Sequence, residues 1–248
     1  MGKLDNKIAV VTGSSVGIGR AIAEAFSAEG AEVIIVSHKT IAEGKSVAQE
    51  IMDKGGKAMY VCADLSSQKG VDSLFNEISK HYSRIDVLVN NVGHSFNTPF
   101  DELSEETITR DLNSNLLATV LCSKKVLEYM PNGGHIINTS SIRGLDYAGR
   151  VPLIGYCAGK AAVNSFTKNF AVHCAPKIFV NAIAPGFVWT EAFSATDKAL
   201  LDKWEKAVPI QRFIKPDELA ELYVVLATTH ILTGVILSAD GGYTILEK

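Results

Sequence analysis

The sequence predicts a single α/β domain, residues 1–248, with a doubly wound parallel sheet flanked by helices on both faces. The composition is the first observation, because 47% apolar and 21% charged residues are typical of a packed globular domain. The second is the alternation of short β-branched runs with longer helical patterns, since parallel strands need helical crossovers. The third is that no Pro/Gly/Ser-rich linker or internal repeat divides the chain.

The predicted strands and helices alternate from the start of the chain. Short runs of Val and Ile bounded by turn residues are typical of buried strands, and apolar residues at a period near 3.6 are typical of helices. The predicted strands are 8–11, 33–36, 58–62, 85–89, 135–138, 178–183 and 235–237, and the helices between the first four are 17–29, 42–54 and 69–81.

Charge and cysteine content limit the function classes. The 24 basic and 27 acidic residues give a net charge of −3, so there is no basic surplus for nucleic-acid binding and a small-molecule partner is expected. No apolar run approaches the roughly 18 residues that cross a bilayer, so no membrane partner is expected. Four cysteines without a C-x-x-C pair suit a reducing compartment, which predicts a soluble cytoplasmic protein. The histidines lack metal-ligand spacing, so we expect no metal.

A glycine-rich turn follows the first predicted strand directly. It reads Thr12-Gly-Ser-Ser-Val-Gly-Ile-Gly19, and a helical pattern begins within it. Gly13 permits a tight strand-to-helix turn, Gly17 lets the backbone approach a pyrophosphate, and Gly19 allows close packing of helix on strand. The helix N-terminus attracts negative charge. Such a turn is a weak signal alone, but its place between strand and helix predicts a dinucleotide site.

The residues at the end of the second strand indicate which coenzyme this turn would hold. An acidic residue about 20 positions further on usually binds the ribose 2′-hydroxyl, whereas this chain has Ser37, His38 and Lys39. Ser37 can donate to a 2′-phosphate, and Lys39 or a protonated His38 can balance its charge. The sequence therefore favours NADP(H) over NAD(H), with simple solvation of these residues as the alternative.

Tyr156 and Lys160 are four residues apart in a helical pattern, which puts both on one helix face. A phenol with a pKa of about 10 is a poor acid–base catalyst at neutral pH, and a nearby ammonium would lower that pKa. The pair could then supply a proton to a carbonyl. The spacing also occurs by chance in many helices, so a surface pair is the alternative.

Further motifs accompany this pair in a fixed order. They are Asp64-Leu65, Asn90-Asn91-Val92-Gly93, Ser140-Ser141, 181–186 followed by Thr190, and Asp240-Gly-Gly. With the glycine-rich turn and the Tyr156–Lys160 pair, they resemble the short-chain dehydrogenase/reductase family over essentially the whole chain, especially its 3-oxoacyl-carrier-protein reductase-like branch. The resemblance implies a Rossmann-type domain, a nicotinamide coenzyme, and hydride transfer between NADP(H) and a carbonyl or secondary alcohol.

The resemblance also implies a role for each matched residue. Tyr156 is the acid/base, Ser141 hydrogen-bonds the substrate oxygen, and Lys160 binds the nicotinamide ribose. Asn115, preferred to Asn113 because the run that it begins has the usual family length, kinks its helix and holds a water that links Lys160 to solvent. The implied coenzyme-binding residues are Gly13, Ser15, Gly17, Ile18, Gly19, Ser37, His38, Lys39, Asp64, Leu65, Asn91, Gly93, Tyr156, Lys160, Pro185, Gly186, Val188 and Thr190.

Two segments are candidates for choosing the substrate. Aligned on its motifs, the loop between the catalytic serine and tyrosine is about two residues longer than in common relatives. It carries Arg143, Tyr147 and Arg150, which could bind an anionic or carbonyl-rich ligand, although solvated arginines are the alternative. We predict that the segment 187–213 covers the substrate, with an ordinary surface helical hairpin as the alternative.

Two other functions stay open. A 3-oxoacyl-carrier-protein reductase of fatty acid synthesis docks an acidic carrier through basic residues. Lys177 could serve in that docking, but the segment 130–135 offers no fixed positive charge. A non-catalytic NADP-binding sensor or scaffold is the second alternative, against which the intact catalytic residue types argue. The family resemblance also implies a homotetramer.

Overall fold

The computed structural model describes residues 2–146 and 150–245, and within these ranges the chain forms one seven-stranded sheet. All neighbouring strands are parallel, and the sequence-based strand limits differ from those in the structure by at most two residues. The strands are β1 (Ile8–Thr12), β2 (Glu32–Ser37), β3 (Lys57–Cys62), β4 (Val87–Asn90), β5 (Gly134–Thr139), β6 (Ile178–Pro185) and β7 (Ile236–Ala239). Their order across the sheet is β3-β2-β1-β4-β5-β6-β7.

Helices cover both faces of this sheet. Alternate residues of a strand point to opposite faces, so Val11 packs in the core beneath α1, α2 and α8, while Val10 packs in the core beneath α3, α5 and α6. The predicted α/β class with a doubly wound parallel sheet is confirmed. The helices are α1 (Gly17–Ala28), α2 (Ile41–Asp53), α3 (Gln68–Ser79), α4 (Glu105–Leu112), α5 (Ala118–Val126), α6 (Ile154–Cys174), α7 (Lys198–Lys206) and α8 (Pro216–Thr228).

The connection between α4 and α5 is irregular and positions one predicted site residue. The residues Asn113–Leu117 form a π-helical turn, with Asn115 buried inside it. Single π turns within a helix insert an extra residue and occur frequently at functional sites. The predicted kink at Asn115 therefore corresponds to a local change in helical hydrogen bonding.

The segment 187–213 is closed at its base by main-chain hydrogen bonds. Trp189 N donates to Ile214 O at 2.9 Å, and Ile214 N donates to Phe187 O at 2.9 Å. Within the segment, the structure has the short 3-10 turn Glu191–Phe193 and the single helix α7 rather than a hairpin of two helices. In the described part of the chain, none of the helices is both long and apolar enough to cross a membrane.

A buried polar network joins the centre of the sheet to α5 and α6. The side-chain amide of Asn90 donates to Ser123 Oγ and Asn138 Oδ1, both at 2.9 Å. Asn138 Nδ2 in turn donates to Thr167 Oγ1 at 2.9 Å. Since all four side chains are buried, each bond replaces water that these groups have lost.

We expect Asn138→Ala to lower the free energy of unfolding by about 1–3 kcal/mol, because it removes the buried bonds from Asn90 to Asn138 and from Asn138 to Thr167. Urea denaturation measures this change. Asn169→Ala is the matched control, since Asn169 is exposed and donates to Ser165 O in its own helix. Equal losses in the two variants would contradict the importance of the network.

Candidate active site

The glycine-rich turn leaves the N-terminus of α1 open. Gly13 and Gly17 have φ values of +64° and +56°, a region that favours glycine. The helix starts at Gly17 after the extended residue Val16, and among the described residues no side chain caps it. The first N–H groups of α1 are therefore available to an anion, and the lack of Cβ atoms lets that anion approach. These observations fit a pyrophosphate.

Asn91, at the end of β4, holds this turn against the sheet. Its side-chain amide donates to Gly13 O at 3.1 Å, and its backbone N–H donates to Thr12 Oγ1 at 2.9 Å. A Cβ on Gly19 would collide with the Gly13 carbonyl and would lie 2.6 Å from the Asn91 amide nitrogen. Gly19 therefore permits the close approach of helix, turn and strand that the sequence predicts.

The side chains of the other two predicted residues of the turn, Ser15 and Ile18, contact the protein itself. Ser15 is buried, and its hydroxyl lies 2.5 Å from Thr40 Oγ1. Ile18 is partly buried against the core beneath α1. Their side chains fix the turn in place, and so only their backbone groups are free to face a coenzyme.

The end of β2 presents two exposed basic side chains, His38 and Lys39. The hydroxyl of Ser37, predicted to donate to a 2′-phosphate, already has partners within the protein. Ser37 is only 6% exposed, and its hydroxyl donates to Thr40 O at 2.9 Å and lies 3.1 Å from Tyr60 Oη. Burial against Tyr60 was not visible in the sequence, because it depends on the pairing of β2 with β3.

Asp64 and Leu65 follow β3 at the same edge of the sheet. Leu65 is buried, whereas Asp64 is exposed with its Oδ2 3.8 Å from His38 Nδ1. Hydrogen bonds from Ser66 lower the pKa of Asp64, and the charges of His38 and Lys39 lower it further. The carboxylate is therefore ionised at neutral pH.

Tyr156 and Lys160 lie in the first two turns of α6, where the i to i+4 spacing brings the Lys160 Nζ to 5.8 Å from the centre of the Tyr156 ring. Lys160 is only 3% exposed, and its Nζ donates to the Thr139 carbonyl at the end of β5, at 2.8 Å. Ser141, two residues after that carbonyl, lies close enough to Tyr156 to act on its pKa. The structure thus brings Ser141, Tyr156 and Lys160 together.

The pKa values of this group differ from the simple expectation. Burial lowers the pKa of Lys160 to about 8. Burial also raises the pKa of Tyr156, against the opposing effects of its hydrogen bond with Ser141 and the charge of Arg143. Desolvation therefore outweighs the effects that lower the Tyr156 pKa, so the phenol pKa is raised rather than lowered as the sequence predicts. At neutral pH Tyr156 carries its proton.

Asn115 and Gly93 complete the interior of the site. The Asn115 amide nitrogen donates to His94 O at 2.8 Å and Asp111 O at 2.9 Å. Its oxygen, Oδ1, is buried and has no hydrogen-bond partner within the described residues. A Cβ on Gly93 would lie 2.8 Å from this oxygen and 2.9 Å from Lys160 Nζ. The unpartnered Asn115 oxygen and the Lys160 amine therefore both lie next to Gly93.

The remaining predicted coenzyme residues line the end of β6. Pro185 is buried, and Gly186 passes so close to Asp240 that a Cβ would lie 2.7 Å from its Cα. Val188 is buried beside Ile214. The Thr190 methyl group faces Gly17, since a Cβ on Gly17 would lie 3.4 Å from it. The start of segment 187–213 thus lies against the glycine-rich turn.

Sequence reasoning missed Asp111, a buried carboxylate beside the site. It is 1% exposed, and its Oδ1 pairs with Arg110 at 3.0 Å. Its Oδ2 has no hydrogen-bond partner in the described part of the chain and lies so close to Gly155, the residue before Tyr156, that a Cβ there would collide with it. Its position four residues before Asn115 on one helix face was the available signal.

Tyr147, one of the three loop residues suggested for ligand binding, lies outside the described residues. The other two, Arg143 and Arg150, both border the aromatic side chains of the segment 187–213. The Arg143 guanidinium carbon lies 5.8 Å from the centre of the Phe187 ring, and that of Arg150 lies 5.1 Å from the centre of the Trp204 ring. Neither arginine is a freely solvated surface residue.

Comparisons with known proteins agree with this geometry. A family model described as enoyl-(acyl carrier protein) reductase matches residues 13–244. The chain is 36% identical to the 3-oxoacyl-[acyl-carrier-protein] reductase of Aquifex aeolicus, over 97% of this chain and 98% of that protein.

Solved structures are similar over nearly the whole length. An angucycline C-6 ketoreductase with bound NADP has a TM-score of 0.92 and 30% identity, covering 99% of this chain and 98% of its own. A variant of a short-chain dehydrogenase/reductase from Serratia marcescens has a TM-score of 0.89 and 30% identity, covering 98% and 99%. The match in sequence and in fold confirms the predicted resemblance, and the chain belongs to the short-chain dehydrogenase/reductase family of oxidoreductases.

Proposed function

We propose that this oxidoreductase transfers a hydride between NADP(H) and a carbonyl or secondary alcohol, with Tyr156 as the acid/base. The observation that carries the proposal is the convergence at the carboxyl end of β5. There Ser141 lies close enough to Tyr156 to act on its pKa, and the buried Lys160 ammonium lies one helical turn away. A hydroxyl donor, a phenol and an ammonium at one point can bind and protonate a carbonyl oxygen.

The coenzyme would lie along the carboxyl edge of the sheet. The open N-terminus of α1 would bind its pyrophosphate, and Lys160 would hold the nicotinamide ribose. His38 and Lys39 would bind a 2′-phosphate. When bound, the coenzyme supplies or accepts the hydride. Gly13, Asp64, Asn91, Ser141 and Gly186 follow the carboxyl ends of β1, β3, β4, β5 and β6, which supports this position for the coenzyme.

Protons would move through the protein's own groups during carbonyl reduction. Tyr156 begins protonated, since burial raises its pKa, and donates to the substrate oxygen while Ser141 stabilises the developing negative charge. Lys160, with its pKa lowered to about 8, can give up a proton near neutral pH. The unpartnered Oδ1 of Asn115 could accept a hydrogen bond from a water that links Lys160 to solvent.

Two alternatives remain and one assay separates them. The name of the Aquifex aeolicus relative favours a 3-oxoacyl-carrier-protein reductase. The other alternative is an NADP-binding sensor without turnover. Measuring NADPH oxidation with ketones, sugars and 3-oxoacyl thioesters distinguishes the three functions. Tight NADPH binding without turnover of any of these compounds would favour the sensor.

The same proposal extends to assembly and location. We propose a homotetramer, because the family resemblance implies one and α6 exposes Val172 to 80%. Gel filtration tests this directly.

We also place the protein in the cytoplasm, since all four cysteines are free thiols. The segment 187–213 would cover the substrate, as its aromatic side chains lie beside the loop after Ser141.

We expect Tyr156→Phe to lower kcat by about 10²–10⁴-fold, because it removes the proton donor and leaves the ring in place. NADPH binding, followed by coenzyme fluorescence, should change little. Tyr129→Phe serves as the control, since Tyr129 packs on Phe75 in the core of the α3 face, away from the site. Near-normal turnover by Tyr156→Phe would rule out its role as the acid.

We expect Lys39→Ala to reduce kcat/KM for NADPH about tenfold while sparing that for NADH, because only NADPH carries the phosphate that Lys39 would neutralise. Steady-state kinetics with both coenzymes measure the ratio. Lys45→Ala removes an equally exposed charge from α2 and should leave the ratio unchanged. A wild-type preference for NADH would contradict the proposed coenzyme choice.

Lys160 should make stability depend on pH. Its pKa falls from 10.5 to about 8 on folding, so the unfolded chain binds more protons between these values and stability rises with pH across that window. Burying the charged amine therefore costs roughly 3 kcal/mol at pH 7. Urea unfolding at pH 7 and pH 10 should show a rise in the wild type relative to Lys160→Met. A constant difference between the two proteins would show that Lys160 titrates normally.

A further inference from the structure

Three aromatic rings form one wall next to the proposed reaction centre. The rings of Phe187 and Trp204 stack with centroids 5.5 Å apart, and Tyr243 meets Phe187 edge-on at 5.1 Å. We call these three residues the aromatic wall. Phe187 is buried, whereas the rings of Trp204 and Tyr243 are partly exposed and offer apolar surface of fixed geometry to a flat or apolar ligand.

Two arginines lie against this wall. The guanidinium carbon of Arg143 is 5.8 Å from the centre of the Phe187 ring and 5.5 Å from that of Tyr243, and Arg150 is 5.1 Å from that of Trp204. Stacking on rings holds a guanidinium in one orientation while its N–H groups stay directed outward. The wall therefore has two guanidinium groups held against its rings.

The two charges also lie close to each other and to the reaction centre. Burial lowers the pKa of Arg150, and the charge of Arg143 lowers it further. The charge of Arg143 also acts on Tyr156. Arg143 is only 9% exposed, and no carboxylate of the described residues acts on Arg150. The charge of Arg143 adds to the positive potential at the partly buried Arg150, which favours an anion beside the Arg150 guanidinium.

We propose that the carbonyl substrate carries an anionic group, a carboxylate or a phosphate, which Arg143 and Arg150 bind beside the aromatic wall. The guanidinium fork matches the paired oxygens of either group. The anion would bind at the wall while the carbonyl lies at Tyr156, so the two arginines select and orient the substrate. This inference rests on the proposed function, because it takes Tyr156 as the reacting group.

The test compares three aldehydes of similar size with NADPH. They are 4-carboxybenzaldehyde, 4-formylphenyl phosphate, and methyl 4-formylbenzoate as the neutral match. We expect kcat/KM for at least one anion to exceed that for the ester about tenfold. Arg150→Gln should reduce this ratio about tenfold, and comparison within each variant corrects for a general loss of activity. Lys203→Gln removes an exposed charge from α7 and should keep the wild-type ratio.

A binding measurement separates this inference from the proposed function. Trp204 lies in the wall, so quenching of tryptophan fluorescence reports binding of each aldehyde without turnover. If the anions bind about tenfold more tightly than the ester but none is reduced, the anion site stands and the proposed function fails. Equal binding, or equal turnover, of both anions and the ester would overturn the anion site. Should Arg150→Gln fail to fold, Arg143→Lys keeps the charge, removes the fork and should lower the same ratio.

Discussion

The hydrogen bond from Lys160 to the Thr139 carbonyl fixes α6 on the sheet. A buried ammonium is costly unless it is paired with an acceptor, and this acceptor is the last carbonyl of β5. The bond therefore ties the height of α6 to the end of a central strand. Tyr156 is one turn before Lys160 on that helix, and Ser141 is two residues beyond the carbonyl. The bond from the Lys160 amine to the Thr139 carbonyl oxygen therefore brings Tyr156 and Ser141 to the same end of β5.

Small residues let the neighbouring elements approach this helix closely. A Cβ on Gly144 would lie 2.5 Å from the backbone carbon of Lys160, so the turn after Ser141 packs directly on α6. Asn164 fastens it there by donating to Gly144 O at 2.9 Å. On the opposite side, a Cβ on Gly159 would lie 3.1 Å from the Asn115 Cβ. The reacting groups are thus set by backbone packing as well as by polar contacts.

The sequence predicted those parts of the site that depend on local backbone geometry. The glycine spacing around Gly17 predicted the turn, and the i to i+4 spacing placed Tyr156 and Lys160 on one face. Burial of Ser37 and the raised pKa of Tyr156 were not predictable. Both depend on side chains that are far away in the chain, such as Tyr60, and on how completely the fold excludes water.

In the helices, too, local features could be predicted from the sequence and features that depend on tertiary packing could not. The helix α8 begins with Pro216, followed by Asp217 and Glu218, which is a recognisable helix start, but its apolar residues lack one clear stripe because most of them are buried. The burial of Asp111 was not predictable from the sequence for a related reason. A charged residue on a helix is expected to face solvent, and only the packing of α4 against α6 shows that this one does not.

The closed base of the segment 187–213 has an evolutionary consequence. Its ends are joined by main-chain hydrogen bonds between Phe187, Trp189 and Ile214, which depend little on side-chain identity. Residues between these ends can change without disturbing the register of the sheet or the position of Tyr156. Such an arrangement lets mutation explore new substrates while the chemistry is kept, so relatives with the same scaffold can diverge in what they reduce.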